Sequence, residues 1–304
     1  MGTSPARFIP ERIRPRLAPV ALVAVTAIWG STFVVVKFAI AEMPVFTFLS
    51  WRFGIATVLL LALRPRSVLS LARRDLRRAT ALGIALGMGY ILQTIGLQYT
   101  SATVSGFVTG MFLVFTPLVA WAVTGERVTA TAWVAVAVAT VGLALMSLTG
   151  ASAGLGEILT LGGALAFAAQ IVGLSQWSSR ENAYGLTVVQ LATVTVMCLL
   201  LTPFESGPRV PPSAASWAAV VFLAVAATAL AFVTQTWAQS QLEPTQAAVI
   251  LTMEPVFAGL TGFLAGEQMT LRLLLGAAMV LLAMYLVELG PRRSREAQVA
   301  HLEP

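Results

Sequence analysis

Glu254, followed directly by Pro255, stands near the middle of an apolar stretch, Pro244 to Glu267, that is long enough to cross a bilayer as a helix. A carboxyl group at that depth is costly, so it faces protein or water and often marks a transport path. Pro255 removes a backbone donor and frees carbonyls beside it. A buried acid in such a place is able to take up and release a proton. The competing reading is a neutral acid hydrogen-bonded to a neighbouring helix, or a permanent partner of Arg52. Arg52 is the second charge placed well inside an apolar stretch. It cannot readily lose its proton, so it needs a carboxylate, carbonyls or water. Either it pins helices together or it receives an anionic group. Lys37 is the third, near the end of the first stretch, where it snorkels to the interface, pairs with Glu42, or attracts an acidic solute.

Uncharged polar residues form a wider set: Trp29, Thr32, Tyr90, Gln93, Gln98, Gln170, Gln190, Gln235, Trp237 and Gln239. Tyr90 and Gln93 share a helix face, as do Gln235 and Gln239. Glutamines in four separate apolar stretches either line a cavity for a polar solute or hydrogen-bond between helices, at about 1–2 kcal/mol or less apiece. Trp29 lies mid-stretch, away from the interface where tryptophans gather, and so faces the bundle. Trp29, Thr32, Lys37, Arg52, Tyr90, Gln93, Gln170, Gln190, Gln235 and Trp237 are therefore the expected solute-binding residues, with Glu254 the expected coupling residue.

Other chemistries lack their residues. The one cysteine is Cys198 and the one histidine, His301, sits in the polar tail, so zinc and histidine acid–base chemistry have no ligand set. No H-E-x-x-H, G-x-S-x-G, P-loop or GxGxxG motif is present. No metal and no cofactor is expected. An enzyme acting on lipid within the membrane would have to work with carboxylates alone, and general acid–base catalysis usually wants a partner for Glu254.

The elements that must hold these residues are membrane helices. Of 304 residues 58% are hydrophobic and only 11% charged, against roughly 25% charged in a soluble domain. The apolar stretches read as spans at 18–40, 44–63, 79–99, 101–123, 129–149, 156–178, 183–202, 214–239, 244–265 and 269–289. Residues 1–17 and 291–304 are polar tails. The first span exceeds a signal core of about 7–15 residues, so it is read as retained although Ala39-Ile40-Ala41 resembles a cleavage site. With the N-terminus inside, inside segments hold fifteen arginines and outside segments hold only Arg209 and Arg272. The positive-inside rule then places both termini in the cytoplasm. The same arginines account for a pI near 10.4 without any nucleic-acid partner.

The two halves repeat. Gly266-Glu267-Gln268-Met269-Thr270 echoes Gly125-Glu126-Arg127-Val128-Thr129, 141 residues earlier, and setting Arg52 opposite Gln190 sets Trp29 opposite Phe167. Five spans per unit is odd, so the second unit, 151–290, must be inverted relative to the first, 18–150. The fold expected is an all-α membrane protein of ten transmembrane helices in two inverted five-helix repeats. Pro117 lies nine residues before Glu126 whereas Pro255 lies twelve before Glu267, so the kinks are expected not to correspond. Spans 5 and 10 are nearly free of mid-span polar residues and are expected to face lipid or a second copy in a homodimer.

Trp29-Gly30-Ser31-Thr32-Phe33 with Lys37, then Arg52-Phe53, then Gly125-Glu126, resembles the first unit of EamA-type transporters of the drug/metabolite transporter superfamily. Glu254-Pro255-Val256-Phe257 with Gly266-Glu267 resembles the second, and the likeness covers roughly residues 20–290. It implies a central cavity between the repeats, open to each side in turn, with spans 5 and 10 peripheral. Functionally characterised members mostly export amino acids or other small metabolites, and some move drugs. The expectation is a secondary transporter of the inner (plasma) membrane that moves an amino acid-like or drug-like solute outward. A passive facilitator on the same fold is the nearest alternative.

Overall fold

The computed structural model describes residues 14–125, 129–147, 154–178, 182–205, 207, 209–239 and 250–289. Every regular element among them is helical: α1 (Arg14–Glu42), α2 (Val45–Leu63), the short α3 (Arg66–Leu69), α4 (Arg73–Leu97), α5 (Ala102–Gly110), α6 (Phe112–Thr124), α7 (Ala130–Ser147), α8 (Leu155–Trp177), α9 (Ala183–Leu201), α10 (Ala214–Ala224), α11 (Ala231–Gln239), α12 (Glu254–Leu264) and α13 (Leu271–Leu289). A 3-10 turn, Thr202–Glu205, follows α9, and a π-helical turn, Val225–Leu230, joins α10 to α11. In hydrocarbon every backbone group must bond within its own segment, and an apolar helix meets that demand. Among the described residues six helical segments are long and apolar enough to cross a membrane: Leu17–Glu42, Val45–Leu63, Arg73–Leu97, Ala102–Val123, Leu155–Trp177 and Ala183–Glu205. Ala130–Met146, Ala214–Leu230 and Leu271–Leu286 are shorter apolar helices.

Several elements of the two halves correspond in position. Residues 45–63 of α2 and 183–201 of α9 stand 138 apart at both ends, and the starts of α7 and α13 stand 141 apart. Matched spans pack against each other antiparallel. Gly54 of α2 lies on Thr195 of α9, while Tyr184 Oη near the start of α9 donates 2.7 Å to the Leu60 carbonyl near the end of α2. Gly110 of α5 meets Pro255 of α12, and Gly262 meets Thr103. Gly142 of α7 rests on Met279 and Val280 of α13, and Gly276 rests on Met146. Most close packing therefore runs between halves. Phe48, Phe53 and Leu60 of α2 share one apolar core with Leu191 and Cys198 of α9 and Val220 and Leu223 of α10.

Three details differ from expectation. Span 3 starts at Arg73 and not 79, because the arginine-rich segment already forms the first helical turns, with Asp75 favourably placed near their N-terminus. Span 4 is not continuous: it breaks at Met111, between α5 and α6. Span 9 breaks at Thr252-Met253, just before α12. Met111 and Thr252 are 141 residues apart, like the two glycine–glutamate echoes, so the breaks do correspond although the prolines do not. Pro117 lies inside α6 and does not make the break. The echoed glycines have a shared cause. Gly125 and Gly266 end their helices with φ of 74° and 93°, a region where a side chain is strained. Glu126, Arg127, the 148–153 junction, Arg180, residues 240–249 and both tails lie outside the described residues.

Candidate functional site

Arg52 enters the core from the second turn of α2 and is only 4% exposed. Its Nε donates 3.3 Å to Thr228 Oγ1. The guanidinium carbon lies 5.0 Å from the Tyr90 ring and 5.2 Å from the Phe53 ring. Tyr90, on α4, is held edge-on between Phe53 at 4.7 Å and Phe167 of α8 at 5.1 Å. Among the described residues the ion pair present is Arg78–Asp75, at the surface, and none reaches Arg52.

Thr228 reaches Arg52 from the π turn. An extra residue per turn there sends the Thr228 hydroxyl back to the Leu223 carbonyl, five residues earlier, at 2.8 Å, while the same oxygen accepts from Arg52. One residue before, the Ala227 carbonyl accepts the indole N–H of Trp29 at 2.8 Å, and the Trp29 ring tilts on Phe232 at 5.8 Å. Turns of this kind are frequent at functional sites. The run Val225–Leu230 carries no sequence signal for one, so Thr228 and Ala227 were beyond reach of sequence reasoning, as were the ring contacts of Phe53, Phe167 and Phe232.

Glu254 opens the first turn of α12, directly after the break in span 9. Among the described residues its carboxyl group makes neither a hydrogen bond nor an ion pair, so the permanent Arg52 partnership is not formed. Glu254 sits where α1 and α12 are closest: a Cβ at Gly30 would fall 2.7 Å from the Glu254 carbonyl oxygen and 2.5 Å from Phe257 Cβ. Only glycine permits that approach, and Thr261 Oγ1 also points at the Gly30 carbonyl at 3.4 Å.

The remaining expected residues separate from this centre. Lys37 does not pair with Glu42; its Nζ donates 2.6 Å to the Thr100 carbonyl. Glu42 instead accepts from Ser213 at 2.9 Å and from Ser216, at the N-terminus of α10. Lys37 borders a cleft of about 370 Å³ with Val34, Phe38, Ala102 and the Ala265–Glu267 turn. Glu267 accepts from the backbone N–H of Ala102 at 2.6 Å and of Thr103 at 3.0 Å, capping α5 from the other half of the chain. The repeated glycine–glutamate signal was visible in sequence, but its capping role was not.

Gln170 and Gln190 face one another, Nε2 to Oε1 at 2.7 Å, and Gln190 also donates to the Leu186 carbonyl at 3.2 Å. Gln93 donates 2.9 Å to Thr109 Oγ1 on α5. The hydroxyl of Thr32 turns back to the Trp29 carbonyl at 2.6 Å. Gln235 is half-buried on α11, and the side chain of Trp237 lies outside the described residues. Among the described residues no three His, Cys, Asp or Glu side chains gather as a metal site.

A helical membrane protein with a buried arginine between the halves and a half-buried, unbonded carboxyl group at a helix break has the make-up of a membrane transporter. The family assignment agrees. The EamA-like transporter family model matches residues 16–148 and again 154–289, and the chain belongs to that family. It is 33% identical to an uncharacterized transporter of Archaeoglobus fulgidus over 301 residues, covering 92% of this chain and 88% of that one. It is 24% identical to the uncharacterized transporter YoaV of Bacillus subtilis, covering 85% of this chain and 92% of the other. A solved crystal structure superposes with a TM-score of 0.62 over 90% of this chain and 97% of its own, at 17% identity, a likeness of fold alone.

Proposed function

We propose that this protein is a secondary transporter that carries a small metabolite outward across the cytoplasmic membrane by alternating access, and is not an enzyme. In this reading residues 18–150 and 151–290 are two inverted five-helix repeats, ten transmembrane helices in all, with both termini in the cytoplasm. The antiparallel packing of α2 on α9, of span 4 on span 9 through α5 and α12, and of α7 on α13 supports the inversion, since a pseudo-two-fold axis in the membrane plane runs matched spans in opposite directions. The arginine distribution supports the orientation. The outer faces of α7 and α13, with Trp133 and Leu282 exposed, meet lipid or a second copy in a homodimer.

The observation that carries the reading is the Arg52 guanidinium, buried with one neutral hydroxyl and two rings for partners, together with the Glu254 carboxyl group, which makes no bond among the described residues and opens α12 at the break in span 9. A buried ion costs several kcal/mol unless it is paired. The ring faces around Arg52 return about 2 kcal/mol or more and the bond to the Thr228 hydroxyl about 1.5–3 kcal/mol, which leaves the remaining guanidinium donors without a partner among the described residues. The deficit is relieved when a solute's anionic group takes the free guanidinium donors, in bidentate fashion if it is a carboxylate. Glu254 then serves as the coupling group, exchanging a proton or holding a cationic part of the solute. Trp29, Thr32, Tyr90, Gln93 and Gln235 border the path, with Trp237 assigned by sequence. Lys37, already satisfied by the Thr100 carbonyl, guides solute at the outer end, and Gln170 with Gln190 ties α8 to α9 beside the path.

Gradient-driven uptake into proteoliposomes tests this. Accumulation of a carboxylate-bearing metabolite, lost in Glu254→Gln, is expected. Equilibration without accumulation would make the protein a facilitator. Turnover of lipid in detergent, with no compartment, would make it an enzyme.

A further inference from the structure

The connection between α2 and α4 is a built surface that the transport site does not use. Residues 64–78 carry six arginines against one acid, Asp75. This segment is docked, not loose. Val68 and Leu71 pack with Leu82 of α4, Leu174 and Trp177 of α8, and Leu186 and Val189 of α9. Gly185, in the first turn of α9, lies against the Ser67 carbonyl and the Leu71 side chain. Two of the arginines are spent on this docking. The guanidinium of Arg64 lies 5.0 Å from the Tyr184 ring, and that of Arg78 lies 5.5 Å from the Trp177 ring and 3.7 Å from Asp75.

The other four, Arg66, Arg73, Arg74 and Arg77, are exposed and form no ion pair among the described residues. Leucines stand exposed among them, Leu69 at 84%, with Leu63 and Leu76 beside it. All lie where the apolar run of α2 stops and that of α4 has yet to begin, which is the level of the lipid headgroups. A soluble polyanion would satisfy the arginines and leave the leucines in water. A lipid satisfies both, its phosphodiester on the guanidinium forks and its acyl chain along the leucines.

We propose that this arginine rim binds anionic phospholipid, holding phosphodiester headgroups on Arg66, Arg73, Arg74 and Arg77. The rim belongs to the first half and is seated on α8 and α9 of the second, so bound lipid braces the two halves at this end. The surface is independent of the Arg52 and Glu254 site and of the direction of transport.

The test is lipid retention by the full chain purified in neutral detergent, where insertion direction does not enter. The protein is offered equal amounts of phosphatidylglycerol and phosphatidylcholine, and bound lipid is counted by native mass spectrometry. Wild type is expected to retain phosphatidylglycerol about tenfold over phosphatidylcholine, and the fourfold variant Arg66→Gln, Arg73→Gln, Arg74→Gln, Arg77→Gln to fall to near parity. If that variant does not fold, wild type in rising salt gives the same reading, because these exposed charges are screened and the preference should collapse. A preference unchanged in the variant, or unchanged in high salt, overturns the proposal. So does a wild type that shows no lipid preference yet binds soluble polyglutamate.

Discussion

The breaks in spans 4 and 9 occupy matching places in the two halves and differ in what they carry. At Met111 a single turn residue separates α5 from α6, with no charge nearby in sequence. At Thr252-Met253 the turn leads directly into Glu254-Pro255. The two broken spans run antiparallel with Gly110 against Pro255, so the two breaks lie beside each other. A similar inequality holds one layer out. Arg52 of α2 matches Gln190 of α9; the first is unpaired among rings, and the second is satisfied by Gln170 and Leu186. Gly30, which lets α1 close on α12, matches the buried Ala168 of α8. The scaffold occurs twice, but each charge stands at only one member of its matched pair, Arg52 in the first half and Glu254 in the second.

That inequality can be broken at its tightest contact. Gly30→Val puts atoms into the backbone of α12, and overpacking of this kind costs about 1–3 kcal/mol or more. A drop of the unfolding midpoint in detergent by several degrees is expected, with transport lost. Ala168→Val on the other side is expected to cost less, which thermal unfolding of the pair would check.

Glu254→Gln should leave folding intact, since the carboxyl makes no bond among the described residues, and should lower initial uptake about tenfold or more. Met111→Leu at the matching break should stay within about twofold of wild type, as expected of a conservative apolar swap. Similar losses in the two variants would erase the distinction between the breaks.

Arg52→Lys keeps the charge and loses the planar fork and the ring contacts, so a rise in KM of about tenfold with a smaller change in kcat is expected. Thr228→Val should act in the same direction and more weakly, about two- to threefold in KM, by removing the one side-chain bond that aims Arg52. A larger effect in Thr228→Val than in Arg52→Lys would mean that the π turn, and not the guanidinium, is the more important part.

Sequence alone located most of the scaffold. Long apolar runs with few charges admit little but helices, and the helix ends at Glu42, Val45 and Leu63 fall within two residues of the apolar limits. The central charges were legible for the same reason, because Arg52 and Glu254 interrupt stretches that otherwise have none. The breaks were harder to see. Thr252-Met253 precedes a proline, but Met111 follows an ordinary glycine, and only the matched spacing ties them together. The partners of Arg52 were not legible at all. Thr228 reaches it through one residue of helical slippage in a run of alanine, valine and leucine, and Tyr90 reaches it from a helix 38 positions away in the chain. The capping role of Glu267 depends on bringing the end of α12 to the start of α5, a tertiary contact across 165 residues.

The most direct test of the central claim is uptake of carboxylate-bearing metabolites into proteoliposomes under an imposed pH gradient, with wild type and Glu254→Gln measured side by side. The account predicts accumulation above equilibrium for one solute class in wild type, and no accumulation in the variant at equal amounts of folded protein. Equal accumulation by both proteins would contradict it and return Glu254 to the scaffold.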